Sequence, residues 1–168
     1  MAKTEILLSC MFLSDSEEMI KRSHITSDTV IINQCEEDGY KEEHIGDAFV
    51  RTFSVKERGL TKSRNLAISE SDADVCIICD DDEVFSDGYE KAVSGAYDSL
   101  PDADIIIFDM VDRPLKWGDS IKKLGYIDLM SVSSWQITFR REKLLAKGIR
   151  FDENMGAGSG NGAEEEFR

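Results

Sequence analysis

Four consecutive carboxylates follow a short apolar run at residues 75–79. They are Asp80, Asp81, Asp82 and Glu83. If the apolar run is a central strand, these side chains emerge at its carboxyl end, where ligands bind in open α/β sheets. Adjacent acids repel one another, and hard oxygen ligands suit Mg²⁺ or Mn²⁺. We therefore expect a divalent cation at this segment. A solvated acidic turn is the alternative in a chain with 34 Asp and Glu residues.

A second candidate cluster, at residues 58–65, is basic. It contains Arg58, Lys62 and Arg64, and Gly59 would let a ligand approach the backbone closely. Cations in a loop and at the start of a helix predict an anion site, and Arg64 could bind a diphosphate or the edge of a nucleotide base. The spacing is not that of a P-loop. The alternative is an ordinary basic helix start on the surface.

A third cluster lies near the end of the sequence. Residues 155–162 are rich in glycine, and Glu164, Glu165 and Glu166 follow them. Repulsion between neighbouring carboxylates raises the pKa of one of them toward neutral pH, so a general base is one interpretation. A solvated first turn of a helix is the other. The glycine run predicts either a mobile lid or a simple flexible connection.

Hydrophobic patterning predicts the strands that position these clusters. The apolar runs at residues 30–32, 75–79 and 105–108 are short and rich in β-branched residues, which is typical of strands buried on both faces. Residues 6–13 predict a first strand. Residues 135–140 alternate apolar and polar side chains, so we expect an antiparallel or edge strand with one exposed face.

Helices are predicted between these strands. They span residues 14–24, 61–70, 89–100 and 141–147. The first would begin with a capping box formed by Ser14 and Glu17. Residues 111–130 show no steady period and predict a long loop with short irregular pieces. Strands that alternate with helices indicate an α/β fold with a mostly parallel, mixed sheet.

Charge and composition restrict the class of protein. The 168 residues carry a formal net charge of −14. Nucleic acid is therefore excluded as a partner, because such binding depends on Lys and Arg displacing counterions. No apolar stretch approaches the roughly 20 residues that cross a bilayer. Cys10, Cys35, Cys76 and Cys79 fit a reducing cytoplasm better than a disulfide framework. In a strand, Cys76 and Cys79 would face opposite sides, which favours core packing over a shared metal.

Taken in order, four motifs resemble those of family 2 glycosyltransferases with the GT-A fold. Residues 59–68 (GLTKSRNLAI) are similar to the glycine-to-Arg-Asn helix of that family, and residues 80–82 are similar to its D-x-D motif. Residues 151–153 resemble its F-D-E segment. Residues 162–165 (GAEE) resemble the motif with the catalytic base. The resemblance implies a nucleotide-diphospho-sugar transferase fold, Rossmann-like, with helices flanking the sheet.

The resemblance also implies roles for individual residues at the donor site. Asp80 would lie near the ribose and the metal, Asp81 beside the nucleotide sugar, and Asp82 would bind Mn²⁺ or Mg²⁺ directly. Arg64 would help to hold the nucleotide. The second strand of the family usually ends in an aspartate that contacts uracil, and we assign that position to Asn33.

Three departures from the family pattern affect these assignments. The uracil position reads Asn33-Gln34, so an amide would replace the usual aspartate, or Glu37 or Asp38 would serve instead. Residues 10–12 are Cys-Met-Phe where the family has Pro-Thr-Tyr. The acidic pair near the end is Glu-Glu where Glu-Asp is commoner.

The resemblance implies inverting transfer of a sugar, with Glu165 or Glu164 as the base. The expected donor is a UDP-sugar and the expected acceptor a saccharide or lipid-linked saccharide, in bacterial surface polysaccharide synthesis. We expect one domain over residues 1–168, with a nucleotide-sugar half (1–110) and the start of an acceptor-side half (111–168). Family members are usually longer, so a C-terminal part that also provides membrane attachment is expected to be missing.

Two other functions stay open at this point. A sugar-nucleotide nucleotidyltransferase would need a glycine-rich basic loop after the first strand, which residues 11–16 do not offer. A binding module for nucleotide or divalent cation, without turnover, is the non-enzymatic alternative. The expected location is the cytoplasm, including the inner face of the membrane, and a homodimer is left open.

Overall fold

A seven-stranded mixed sheet organises the part of the chain that the computed structural model describes, residues 2–109 and 120–154. Its strands are β1 (Thr4–Met11), β2 (Asp28–Gln34), β3 (Gly39–Ile45), β4 (Ala48–Val55), β5 (Val75–Asp80), β6 (Ile105–Ile107) and β7 (Ile137–Arg140). The helices are α1 (Ser16–Arg22), α2 (Leu60–Glu70), α3 (Tyr89–Ser99), α4 (Tyr126–Leu129) and α5 (Arg141–Ala146), with a 3-10 turn at Ser134–Gln136.

The strand order is β3-β4-β2-β1-β5-β7-β6. Strands β4, β2, β1 and β5 are parallel, whereas β3 and β7 run antiparallel to their neighbours. The predicted α/β fold with a mostly parallel, mixed sheet is confirmed. From β1 the chain moves to β2 on one side and returns later to β5 on the other, so the order reverses at β1. Ligands of open α/β sheets bind outside the carboxyl ends of the strands at such a point.

Helices cover both faces of the central strands, which explains the continuous apolar runs in the sequence. On one face, here called the α1 face, the core includes Ile20 of α1 and Tyr97 of α3. On the other, the α2 face, it includes Ala67 of α2 and Leu144 of α5. Residues 30–32 are fully buried between the two cores, as the sequence predicted.

The cysteines of β5 confirm their predicted structural role. Cys76 lies in the core of the α2 face and Cys79 in the core of the α1 face, and both are buried. Burial raises the pKa of the Cys76 thiol to about 12. Because the two thiols lie on opposite faces of the sheet, they cannot share a metal. Both thiols stay protonated at neutral pH.

Two predictions about strands were wrong or incomplete. Residues 105–108 were expected to be buried on both faces, but β6 is a three-residue edge strand in which Ile105 is 47% exposed. The hairpin of β3 and β4 was not predicted, because β3 is mostly exposed and carries charged side chains instead of an apolar period. Strand β7 is antiparallel as predicted, although it lies inside the sheet between β5 and β6.

The helix predictions need smaller corrections. Asp15, not Ser14, caps α1: its carboxylate accepts hydrogen bonds from the backbone N–H groups of Glu17 and Glu18. The predicted loop contains α4, a single helical turn, and residues 110–119 lie outside the described ranges. The glycine run at residues 155–162 and the three glutamates after it also lie outside them. None of the helices in the described ranges combines the length and apolar character that a membrane crossing needs.

Candidate functional site

A buried ion pair lies at the carboxyl end of β5. Arg64, on α2, is only 1% exposed, and its Nη2 donates to both carboxylate oxygens of Asp80 at 3.0 and 3.2 Å. The same nitrogen lies 2.7 Å from Ser134 Oγ, and the guanidinium carbon is 5.4 Å from the centroid of the Phe151 ring. A buried guanidinium needs such partners, because an uncompensated buried charge is strongly destabilising. Arg64 thus fixes Asp80 from the buried side, while Asp80 itself is partly exposed.

The N-terminus of α2 is bound to the end of β2. Gly59, the N-cap residue, has a φ of +129°, a conformation that side-chain-bearing residues rarely adopt. Its N–H donates to Gln34 Oε1 at 2.8 Å in a buried position. Gln34 and Asp80 therefore both bind α2 and lie on the α2 face of the sheet.

Asn33, the residue assigned to the uracil position, lies on the opposite face. Its Oδ1 accepts a hydrogen bond from the Leu13 N–H at 2.9 Å, and its Nδ2 donates to Ser54 Oγ at 3.2 Å. Side chains alternate along a strand, so Asn33 and Gln34 point to different faces. The structure pairs Asp80 with Arg64 and places Gln34 on the same face of the sheet, whereas Asn33 lies on the other face.

The other two alternatives for the uracil position are on the loop after β2. Asp38 is exposed and accepts a hydrogen bond from the Lys56 N–H at 2.9 Å, and Glu37 is also exposed. Neither makes a contact that ties it to the buried pair at the end of β5.

The acidic segment turns away from the sheet directly after Asp80. Asp81 and Asp82 are exposed. Arg22, the last residue of α1, donates from Nη2 to the Asp81 carbonyl oxygen at 2.7 Å and so holds this turn in place. Sequence reasoning missed Arg22, since no local pattern connects two positions so far apart in the chain.

The oxygen donors here fit a cation that is shared with a ligand. Among the described residues, no group of three His, Cys, Asp or Glu side chains is placed to hold a metal ion alone. Burial, and then the charge of Asp80, raises the pKa of Glu83 to about 8. Its Oε1 is buried and has no hydrogen-bond partner within the described ranges. Mg²⁺ commonly binds one or two carboxylates and completes its coordination with phosphate oxygens and water. Asp82 and Asp80 fit that pattern and do not form an all-protein cage.

An exposed aromatic side chain lies beside this edge. Phe12 follows β1 with a φ of +51° and is 59% exposed. The Arg58 guanidinium carbon lies 5.2 Å from its ring centroid, and Arg58 also donates to the Cys35 carbonyl oxygen at 2.8 Å. Such a ring offers a stacking surface for a planar ligand group. Sequence reasoning did not assign a role to Phe12, although an aromatic residue at the end of the first strand is a signal that could have indicated one.

The segment that resembles F-D-E contacts the helix that resembles the Arg-Asn motif. Asn65 Oδ1 accepts a hydrogen bond from the Phe151 N–H at 2.9 Å, and Asn65 Nδ2 donates to the Phe151 carbonyl oxygen at 3.0 Å. Two motifs far apart in sequence therefore meet at one site. Glu164 and Glu165, the predicted bases, lie outside the described residues.

Comparison with solved structures shows the fold. The chain is similar to S. aureus TarS 1-349 at 13% identity, with a TM-score of 0.68, over 94% of this chain and 52% of that one. It is similar to the same protein in complex with UDP, with a TM-score of 0.65 over 94% and 52% of the two chains. For the complex with UDP-GlcNAc the TM-score is 0.68, over 94% and 50%. Identity is 13% in both complexes.

These likenesses establish the fold of a GT-A glycosyltransferase domain. The chain spans about half the length of these TarS chains. No protein-family model matches the chain, and no curated protein matches it in sequence.

Proposed function

We propose that this chain is the donor-binding part of a metal-dependent, inverting family 2 glycosyltransferase. It would transfer a sugar from a UDP-sugar to a hydroxyl of a saccharide or lipid-linked saccharide, in bacterial surface polysaccharide synthesis. The observation that carries the proposal is the buried Arg64–Asp80 pair at the strand-order reversal of a GT-A sheet. UDP and UDP-GlcNAc complexes of S. aureus TarS support the choice of donor.

The proposed donor site lies on the α2 face. Asp80, held by Arg64, would bind the ribose side of the nucleotide, with Asp81 beside the nucleotide sugar and Asp82 as the direct cation ligand. Phe12 offers its exposed ring to the base. Gln34 shares the face of the sheet with Asp80, whereas Asn33 points to the other face. We therefore transfer the base-recognition role from Asn33 to Gln34.

The proposed reaction is a single displacement at the anomeric carbon. The acceptor oxygen forms a bond to that carbon while the bond to the diphosphate oxygen breaks, and Glu165 or Glu164 takes the acceptor proton. Attack from the side opposite the leaving group inverts the anomeric centre. Mn²⁺ or Mg²⁺, when bound, would neutralise charge on the departing diphosphate. The protein's own part would be to hold the Asp80 carboxylate in place through Arg64, so that it could contribute to binding that cation.

The test is calorimetric titration of UDP into the purified chain, with Mn²⁺ or with EDTA, and with GDP and ADP as nucleotide controls. We expect UDP binding that requires metal. Asp82→Ala should weaken it by about tenfold or more, since losing even a residue that supports a metal ligand typically costs about tenfold or more in metal affinity. Asp98→Ala, an exposed aspartate on α3, is the matched control and should bind as the wild type does.

Three outcomes would contradict the proposal. A folded wild-type chain that binds no nucleotide with metal present has no donor site. Binding that survives in EDTA and in Asp82→Ala would remove the metal from the mechanism. UDP binding without turnover in a longer protein, tested with saccharide acceptors, would instead favour a binding module.

A further inference from the structure

Asn65 uses both the oxygen and the nitrogen of its side-chain amide to bind a distant segment, residues 151–153. The Phe151 N–H donates to Asn65 Oδ1 at 2.9 Å, and the Phe151 carbonyl oxygen accepts from Asn65 Nδ2 at 3.0 Å. Asn65 Nδ2 also lies 3.1 Å from Glu153 Oε1. The side chain therefore pairs with the backbone of Phe151 much as a neighbouring strand would. We call this set of three hydrogen bonds the Asn65 clasp.

The clasp connects residues 151–153 to the helix that holds the candidate donor site. Arg64, the preceding residue, pairs with Asp80 and lies over the Phe151 ring. The helix itself is fixed, because Ala67 and Ile68 are buried in the core of the α2 face. The backbone of Phe151 and the carboxylate of Asp80 are thus both held by adjacent residues of one rigid element.

We infer that Asn65 is a positioning residue that couples the occupancy of the donor site to the placement of residues 151–153. This inference rests on the proposed function, since it treats the Arg64–Asp80 pair as part of a nucleotide-sugar site. Asp80 is the partly exposed member of the pair, so a ligand that binds it restricts its carboxylate against Arg64, and Arg64 contacts Phe151 directly. Binding at Asp80 then tightens the clasp, because holding residues 151–153 costs less entropy once Asp80 and Arg64 are held.

The first measurement is hydrogen exchange of the Phe151 amide, the group that donates to Asn65 Oδ1. Asn65→Ala should speed this exchange by about tenfold or more, as expected when a protecting hydrogen bond is lost. Ser69→Ala is the matched control, because Ser69 is an exposed residue of the same helix whose hydroxyl donates to the local Leu66 carbonyl oxygen. It should leave the Phe151 amide protected.

The second measurement tests coupling. UDP with Mn²⁺ should slow exchange of the Phe151 amide in the wild type and should not slow it in Asn65→Ala. The UDP dissociation constant of Asn65→Ala should rise by the factor by which UDP slows exchange in the wild type, about threefold, because coupling between two sites is reciprocal. Release of UDP from UDP-GlcNAc should slow by about tenfold or more. A purely structural role would weaken binding and turnover together.

A double variant tests whether a second substitution can restore the coupling that a first one removes. Asn65→Asp keeps an acceptor for the Phe151 N–H but sets a second carboxylate against Glu153. Adding Glu153→Gln supplies an amide donor in place of that carboxylate. The double variant should recover part of the UDP-dependent protection that Asn65→Asp loses.

The outcomes separate this inference from the proposed function. A wild-type chain that binds no nucleotide overturns the proposed function and the coupling with it. A chain that binds UDP but shows no UDP-dependent change at Phe151 overturns the coupling alone. An Asn65→Ala variant whose UDP affinity falls as much as its turnover also overturns it. If the wild-type chain releases no UDP from UDP-GlcNAc, the exchange response to UDP decides.

Discussion

The two faces of the sheet differ sharply at its carboxyl edge. On the α2 face, Asp80 and Gln34 are bound to α2 through Arg64 and Gly59. On the α1 face, polar side chains line an open cavity of about 550 Å³ between the β1–α1 connection and the β3–β4 hairpin. Thr52 borders that cavity, and its Oγ1 is buried without a hydrogen-bond partner among the described residues.

This difference indicates which face of the sheet can hold functional groups in fixed positions. The α2 face presents groups whose positions are fixed by a packed helix, as a site that must stabilise developing charge requires. On the α1 face, Asn33 is held instead by the Leu13 N–H and by Ser54 of the neighbouring strand, and not by a packed helix. Adjacent residues of one strand, Asn33 and Gln34, therefore have different prospects although the sequence presents them as equivalent amides.

Arg64→Ala should have the largest effect on the difference between the two faces. It leaves Asp80 without its buried partner and opens a cavity, so the free energy of unfolding should fall by about 3 kcal/mol or more. Metal-dependent UDP binding should be lost as well. Urea denaturation followed by circular dichroism measures the first effect, and calorimetry the second.

A paired variant separates stability from binding in that experiment. Arg64→Met combined with Asp80→Asn removes both charges, so much of the lost stability should return while UDP binding stays absent. Arg64→Ala within about 1 kcal/mol of the wild type would show that the pair does not organise this face.

A smaller effect distinguishes the neighbouring amides of β2. Gln34→Ala leaves the buried Gly59 N–H unpaired, and Asn33→Ala does the same to the Leu13 N–H, so each should cost about 1–2 kcal/mol of stability. Only Gln34→Ala should weaken UDP binding, by about fivefold to tenfold, which corresponds to one lost hydrogen bond.

The matched pair makes this result decisive for the α2 face. Both variants truncate a buried amide at the same strand end, so a difference in UDP affinity reports which face holds the base. If Asn33→Ala lost the greater affinity, the base would lie over the α1 face and the original assignment of the uracil position would stand.

Several elements could be predicted from the sequence because one local pattern determined each of them. The runs at residues 30–32 and 75–79 are apolar at every position, and Val93 and Tyr97 lie on one stripe of α3, so burial followed from the pattern. Strand β6 has a similar run, but a run does not show what covers it, and β6 lies at an edge. Strand β3 presented charged side chains and no apolar period.

The sequence predicted the edge of the sheet at which the candidate site lies, but it did not predict the face. The position of Asp80 at a strand end followed from the apolar run before it. The face occupied by Asn33 depended on strand register, in which a shift of one residue reverses every side chain. The contacts from Arg22 to Asp81 and from Asn65 to Phe151 join positions 59 and 86 residues apart. No spacing in the sequence indicates such pairs.

The smallest expected effect concerns the α1 face alone. Thr52 is 8% exposed and its hydroxyl lacks a partner within the described ranges, so Thr52→Val should raise the free energy of unfolding by roughly 1 kcal/mol. UDP affinity should not change, since the α2 face is untouched. Thr29→Val is the matched control on the same face: its Oγ1 donates to the Ser27 carbonyl oxygen at 3.0 Å, so this variant should lose stability. Thermal or urea unfolding of both variants measures the contrast. If Thr52→Val were as destabilising as Thr29→Val, the Thr52 hydroxyl would have a partner, and the α1 face would be as firmly connected as the α2 face.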